Sequence, residues 1–327
     1  LQKSANLSDV AAVATARSNL GAAASGLATS SGLTMSTARM LGRSTAATGA
    51  IEEISVGAGL TLSGGVLNTA GASASVAVGG VTRKAQMSVT TASATGTFTA
   101  DEILVETALG ASQPLLLSSY SQACNLATTG AGGMDTGSAP VSGFVSLYAI
   151  AKADGTKNIL ACAVATSSGS IYGGANMPSG YTYSALLGIW PTNGSSQFVA
   201  GFQLDRKFFY QTLSTVATGL TGPTTLTSRS ISSSVPAAAR TADIILSNTS
   251  GGGANTWYAV ASDATGTAIW AFANIGGATP LSFPAGLGSP SQMATFKDVP
   301  LITSQTVYWM ERQGTSSGQF YVGGYSI

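Results

Sequence analysis

Phe144-Val145-Ser146-Leu147-Tyr148-Ala149-Ile150 and Ile159-Leu160-Ala161-Cys162-Ala163-Val164 lie on either side of Asp154-Gly155. Two runs of aliphatic, aromatic and β-branched residues around an Asp-Gly pair are a strong short-range signal for a β-hairpin. The same grammar recurs downstream. Residues 185–190 and 197–204 flank Asn193-Gly194, and residues 256–262 and 267–273 flank a turn ending at Gly266. Residues 307–312 and 319–325 close the chain around Gly314 and Gly318. Strands with regular turns and no intervening helix predict antiparallel β-sandwich domains. The first is expected over residues 96–212 and the second over 213–327, with the Thr- and Ser-rich segment 213–234 marking the boundary.

Upstream of that region the composition changes. Residues 1–119 contain one aromatic, Phe98, and residues 120–327 contain the other 23. Some hundred residues without aromatics cannot build an ordinary core alone, so this part is either disordered or packed against copies of itself. Residues 7–20 read as a helix, with Ser8 as N-cap, Asp9 in the first turn and Gly21 at C′. Leu7, Val10 and Ala14 follow helical spacing, and Val13 and Leu20 widen the apolar face. A helix this short and narrow is marginal in water and makes sense within a parallel helical bundle. Over residues 51–67 the period shortens to strands of a few residues, punctuated by Gly57, Gly59 and the pair Gly64-Gly65.

Whole-chain composition excludes several classes of function. Gly, Ala, Ser and Thr supply 176 of 327 residues, charged residues are only 8%, and the net charge is +1. A nucleic-acid binder needs a dense basic footprint, which is absent. There is no histidine, which removes Ser-His-Asp and Cys-His nucleophile systems and every His-containing metal site. Cys124 and Cys162 are too few for a disulfide scaffold or a four-cysteine zinc site and read as buried reduced thiols. The longest apolar run, residues 159–165, suits a strand and is far short of a membrane span. No signal peptide is visible, and the start at Leu1 reads as part of something longer. No metal, no cofactor, no nucleic acid and no membrane insertion are expected.

Few residues suggest chemistry. Gly314-Thr315-Ser316-Ser317-Gly318 matches a nucleophile-elbow pattern, but it sits between strands in a chain without histidine and reads as a turn. Glu52 and Glu53 point to opposite faces of a strand and cannot pair as acid and base within one chain. Asp101, Glu102, Glu106 and Asp205 are the carboxylates from which a glycosidase pair would be drawn, although salt-bridged or solvated carboxylates are far commoner. Gly130-Ala131-Gly132-Gly133 lacks the spacing of a nucleotide-binding loop and reads as a tight turn before Met134-Asp135. Tyr172, Tyr181, Tyr183 and Trp190 form an aromatic group that suits either a sandwich core or an exposed binding surface.

Three stretches resemble bacteriophage tail-fibre proteins. Ser4-Ala5-Asn6-Leu7-Ser8-Asp9-Val10-Ala11 followed by Ala14-Thr15-Ala16-Arg17-Ser18-Asn19-Leu20-Gly21 is similar to a short helix found in many tail fibres. Arg39-Met40-Leu41-Gly42-Arg43-Ser44-Thr45 with residues 49–60 resembles a segment that leads into an intertwined β-shaft. Residues 125–206, including 130–137, 174–182 and 184–193, look like the globular β-domain near the end of such fibres.

The resemblance covers about half the chain and implies a homotrimer. The expected fold is mainly β: a trimeric helical stem over residues 1–24 with Leu7, Val10 and Ala14 facing the axis, an intertwined β-stem over 25–95, then the two sandwich domains. The implied role is a virion tail fibre, assembled in the host cytoplasm, that binds a host cell-surface glycan or outer-membrane protein and contacts other tail or baseplate proteins. No turnover is expected. A fibre or baseplate appendage without a receptor site is the alternative, and a glycan-cleaving tailspike the further one. The absence of a right-handed β-helix repeat lowers the last. Residues 167–183, with five Gly or Pro, read as a long loop, and long loops in compact domains are often functional. Tyr172, Tyr181 and Tyr183 are therefore the first candidates for receptor contact.

Overall fold

The computed structural model describes residues 35–57, 59–69, 80–111, 113–248, 257–273, 292–312 and 318–327, together with the single positions 12 and 15. Of the expected helix over residues 7–20 only positions 12 and 15 are described, and Leu7, Val10 and Ala14 lie outside the described residues. What is described is mainly β. The chain divides into two units, Leu1–Ser75 and Val76–Ile327.

The first unit contains two small hairpins. Strand β1 (Arg39–Gly42) pairs antiparallel with β2 (Glu52–Ser55), and β3 (Leu60–Ser63) with β4 (Val66–Thr69). Between β3 and β4 only Gly64 and Gly65 intervene, at φ 58° and 77°. Two consecutive positive φ values match the twist of the flanking strands and suit glycine. Among the described residues neither hairpin has a buried apolar side chain. Leu41 and Ile51 stand 47% and 67% exposed, and Val66 57% exposed.

In the second unit β5 (Thr82–Arg83), β6 (Gln86–Val89), β7 (Thr95–Val105), β8 (Leu115–Thr129) and β9 (Gly133–Met134) come first. They are followed by β10 (Phe144–Ala151), β11 (Lys157–Ala163), β12 (Tyr183–Pro191), β13 (Gly201–Leu204) and β14 (Lys207–Leu220). One large sheet runs β12-β10-β11-β9-β8-β7-β6-β13-β14-β21-β16-β19, where β16 is Thr241–Asn248, β19 is Gln292–Pro300 and β21 is Gly318–Ser326; β5 pairs with β7. A second sheet runs β15-β20-β17-β18, from Thr227–Ser230, Thr306–Arg312, Trp257–Ala261 and Trp270–Ala273. Pairing is antiparallel except at short β9, which runs parallel to β8 and β11.

The Asp154-Gly155 hairpin forms as its residues dictate. Lys152 and Thr156 close the ladder, Gly155 donates its N–H to the Lys152 carbonyl at 3.0 Å, and Gly155 sits at φ 86°. The Asp154 carboxylate accepts the Thr156 N–H, which holds its carboxyl below the usual range. Both faces of β10 are buried: Val145, Leu147 and Ala149 enter a large apolar cluster, while Tyr148 and Ile150 enter a smaller one. On β12 a bulge opposite Leu147/Tyr148 leaves Leu187 unmatched, so Leu186 and Ile189, three apart, share a face.

Two expected strand pairings are corrected. After Asn193-Gly194 the ladder stops at the single bridge between Thr192 and Phe198, and β13 pairs instead with β6 and β14. Pro191 has no N–H to extend the ladder, and the Trp190 indole N–H takes the Val199 carbonyl at 2.9 Å. The strands expected to close the chain, β20 and β21, lie in different sheets. The expected boundary at residues 212–213 falls inside β14, and the large apolar cluster includes residues from Ala85 to Tyr325.

Candidate functional site

The segment singled out for receptor contact, residues 167–183, connects β11 to β12. Its first part is tied down from beneath. The Tyr148 hydroxyl donates to the Gly169 carbonyl at 2.9 Å and meets the Ser167 hydroxyl at 2.8 Å. The Ser170 carbonyl accepts the Leu186 N–H at 2.8 Å, and the Ser167 hydroxyl accepts the Gly173 N–H at 3.0 Å. Such bonds place a long loop without regular structure of its own.

The three tyrosines occupy different positions. Tyr172 is 8% exposed, packs edge-on against Tyr148 at 5.6 Å between ring centroids, and donates its hydroxyl to Asp135 Oδ2 at 2.7 Å. The same hydroxyl accepts the Asn176 N–H at 3.2 Å. Burial first, and then the Asp135 carboxylate, push its hydroxyl above the ordinary tyrosine range. Gly174 folds over the ring, where a Cβ would collide with the phenol. Tyr181 is half-buried, follows a tight turn at Gly180 (φ 81°), and carries the Lys152 ammonium 5.2 Å from its ring centroid. Tyr183 opens β12, opposite Ala151, and leans half-buried on the large cluster. Tyr172 and Tyr181 adjoin the smaller cluster, so the three do not form one surface. Trp190 is fully buried. Asp135 and Lys152, which partner two of these rings, were not legible as site residues. Lys152 could have been found from its place at the mouth of the Asp154-Gly155 turn.

The singled-out carboxylates serve separate partners. Asp101 pairs with Lys84 at 3.0 Å and Glu102 with Arg83 at 3.3 Å, both in exposed positions. Glu106 is buried, and its backbone bridges to Ser184. Asp205 stands in the two-residue turn between β13 and β14 at φ 49°. Glu53 accepts the Ser36 N–H. Glu52 accepts the hydroxyls of Thr45 and Ser44 and the Ser44 N–H, which together hold its carboxyl below the usual range. Arg43 completes that loop by donating to the Ala46, Ala47 and Ala50 carbonyls.

Gly130 and Gly132 make a tight turn at φ 90° and 88°, leading into β9 and Asp135. Residues 314–317 of the elbow-like motif lie outside the described residues. Cys124 and Cys162 are free and buried, one in each apolar cluster. Burial pushes both thiols up to about 12. Cys162 shares its face with Leu160 and Val164, as the strand period requires. Among the described residues no group of three His, Cys, Asp or Glu is placed to hold a metal ion. No helix among them is long and apolar enough to cross a membrane.

No protein-family model and no curated protein matches this chain.

Proposed function

We propose that the chain is a virion tail-fibre protein that attaches to the host bacterial surface as a homotrimer, by adhesion and not by turnover. The observation that carries this reading is the first unit. The β1–β2 hairpin bears the fibre-like residues 39–45 and 49–57, and among the described residues the two hairpins leave Leu41, Ile51 and Val66 in the open in a single chain. Side chains of this kind need a partner surface, and copies of the same chain around a threefold axis supply one and protect strand edges. In this reading residues 1–24 form a parallel three-helix bundle with Leu7, Val10 and Ala14 on the axis and an intertwined β-stem follows; the stem ends before the expected residue 95, because Ala85, Met87 and Val89 are already buried in the large core of the second unit, which begins at Val76. Adhesion is multivalent, with roughly 10²- to 10⁴-fold avidity when three sites engage together.

Tyr181, with Lys152 behind its ring, is the aromatic best placed for contact: half-exposed, on a turn, and amphipathic. The test is direct. Native mass measurement of the full chain should give three times the chain mass, and the fluorescently labelled protein should adsorb to cells of particular strains in a bacterial panel. A monomer at micromolar concentration, or uniform failure to adsorb, would refute the proposal.

A further inference from the structure

On the other side of the tied loop lies a cleft of about 430 Å³, within the second unit. This is inside the ~300–1,000 Å³ range of small-ligand sites. One wall is the loop itself at Ser168 and Ser170. The other is the tight turn over residues 236–240, with Ser304 and Leu301 beside it. Two arginines, Arg206 and Arg240, are among the residues that line the cleft.

Both walls are held by hydrogen bonds. The loop is fixed by Tyr148 and by the Leu186 N–H, as described above. In the opposite turn, the Ala239 N–H reaches the Pro236 carbonyl at 3.0 Å, and the Ser304 hydroxyl donates to the Ala237 carbonyl at 2.9 Å. Arg240 itself is clamped through its backbone, donating to Ser326 and accepting from Leu301, each at 2.8 Å. Arg206 is positioned as carefully. Its Nη2 donates to the Leu186 carbonyl at 3.2 Å, and it passes over Gly80, where a Cβ would lie 2.7 Å from the same nitrogen.

Neither arginine takes part in an ion pair among the described residues; those pairs employ Arg43, Arg83, Lys84 and Lys207. Partial burial lowers the Arg206 guanidinium below its usual range, and Tyr148 offsets only part of that effect. The planar guanidinium of arginine matches a carboxylate or phosphate, and the cleft sets two arginines and three serines among Ala, Leu and Ile residues. Serine hydroxyls suit the remaining oxygens of a sugar.

We propose that this cleft seats the oxyanion of an acidic sugar on the host surface glycan, gripped by Arg206 and Arg240 with Ser168, Ser170 and Ser304 around it. This rests on the receptor-binding reading and gives it a ligand class. The cleft is of a size for a sugar unit, which favours a glycan over an acidic peptide chain. Carboxylate and phosphate sugars share the same recognition chemistry, and the experiment separates them.

The full chain is titrated calorimetrically with N-acetylneuraminic acid, glucose 1-phosphate and neutral methyl glucoside, in low and moderate salt. We expect at least one acidic probe to bind about tenfold or more tightly than methyl glucoside, with affinity falling as salt rises. The stronger of the two acids identifies the source of the oxyanion. Arg240→Gln should weaken that probe about tenfold without moving the melting temperature, since Arg240 is exposed and its backbone bonds remain. Arg206→Lys keeps the charge and should lose the fork-like grip to a similar degree; if it fails to fold, Arg240→Gln decides alone. Equal binding of the neutral sugar, no acid binding, or an unaffected Arg240→Gln variant would overturn the proposal. Wild-type adsorption to bacterial cells is measured beside it. Adsorption without acid binding refutes the cleft alone, and acid binding without adsorption refutes the tail-fibre reading alone.

Discussion

Tyr172 and Tyr181 are nine residues apart on one loop, yet their surroundings assign them opposite roles. Tyr172 holds the buried Asp135 carboxylate through its hydroxyl and closes the loop through Asn176. Tyr172→Phe should therefore cost about 1–3 kcal/mol of unfolding free energy, because Asp135 loses a donor in a site with little water. Tyr172→Ala should cost more, by opening a cavity beside Tyr148. Tyr181→Ala should change stability by about 1 kcal/mol or less while reducing adsorption, since its ring is half-exposed and its partner is a surface lysine. Urea unfolding and cell adsorption on the same three variants check this. Strong destabilisation by Tyr181→Ala, or undiminished adsorption, would remove Tyr181 from the contact surface. The sequence could name these tyrosines but not sort them. Tyr172 is committed by Asp135, 37 positions away, and no local pattern records a partner at that distance.

Hairpins show more clearly what a local pattern can and cannot carry. At Gly64-Gly65 and Asp154-Gly155 the left-handed backbone falls on a glycine, so the turn is readable from two letters. At Asn193-Gly194 the positive φ falls on Ser196 instead, with the Asn193 side chain accepting the Ser195 and Gln197 N–H groups. There the turn was legible and the pairing beyond it was not, because that depends on which strand β6 offers to β13. Strands β20 and β21 fail in the same way: each is apolar and near in sequence, but their partners are chosen at long range. The loop between β1 and β2 is a different case, held by side chains and not by turn type. Arg43 ties three carbonyls, Gly49 leaves the space its guanidinium occupies, and Glu52 gathers Ser44 and Thr45. Because folding depresses the Glu52 carboxyl below its ordinary value of about 4.3, the stabilisation is present above that value. It is lost as pH falls through the lower, folded value. Hydrogen exchange of the Ser44 amide should accelerate, after correction for intrinsic rate, once pH falls below the ordinary carboxylate range. Arg43→Ala should produce similar exposure of residues 43–51 at neutral pH. A loop equally protected in acid and in the variant would show that these hydrogen bonds do not hold it.

For the molecule as a whole, the decisive question is what covers the first unit. A single chain leaves Ile51 67% and Val66 57% exposed on hairpins of four-residue strands. Two-stranded hairpins of that length are marginal by themselves, so something beyond their own hydrogen bonds holds them. If the apolar side chains merely face water, Ile51→Asp and Val66→Asp are surface changes and should alter stability by no more than about 0.5 kcal/mol. If three copies bury them, each variant places three carboxylates close to the axis, where unpaired charge is strongly disfavoured. The second case predicts a fall in trimer content at fixed concentration, seen by native mass measurement. It also predicts a melting temperature that rises with protein concentration more steeply than in the wild type, since mass action then governs the folded population. The second unit supplies an internal control. Val141 is 68% exposed among its loops, and Val141→Asp should leave trimer content unchanged if assembly is driven by the hairpin region. Loss of trimer in the control but not in Ile51→Asp would move the assembly interface from the first unit to the second. Trimers preserved in all three variants would leave the exposed hairpins without a role in assembly.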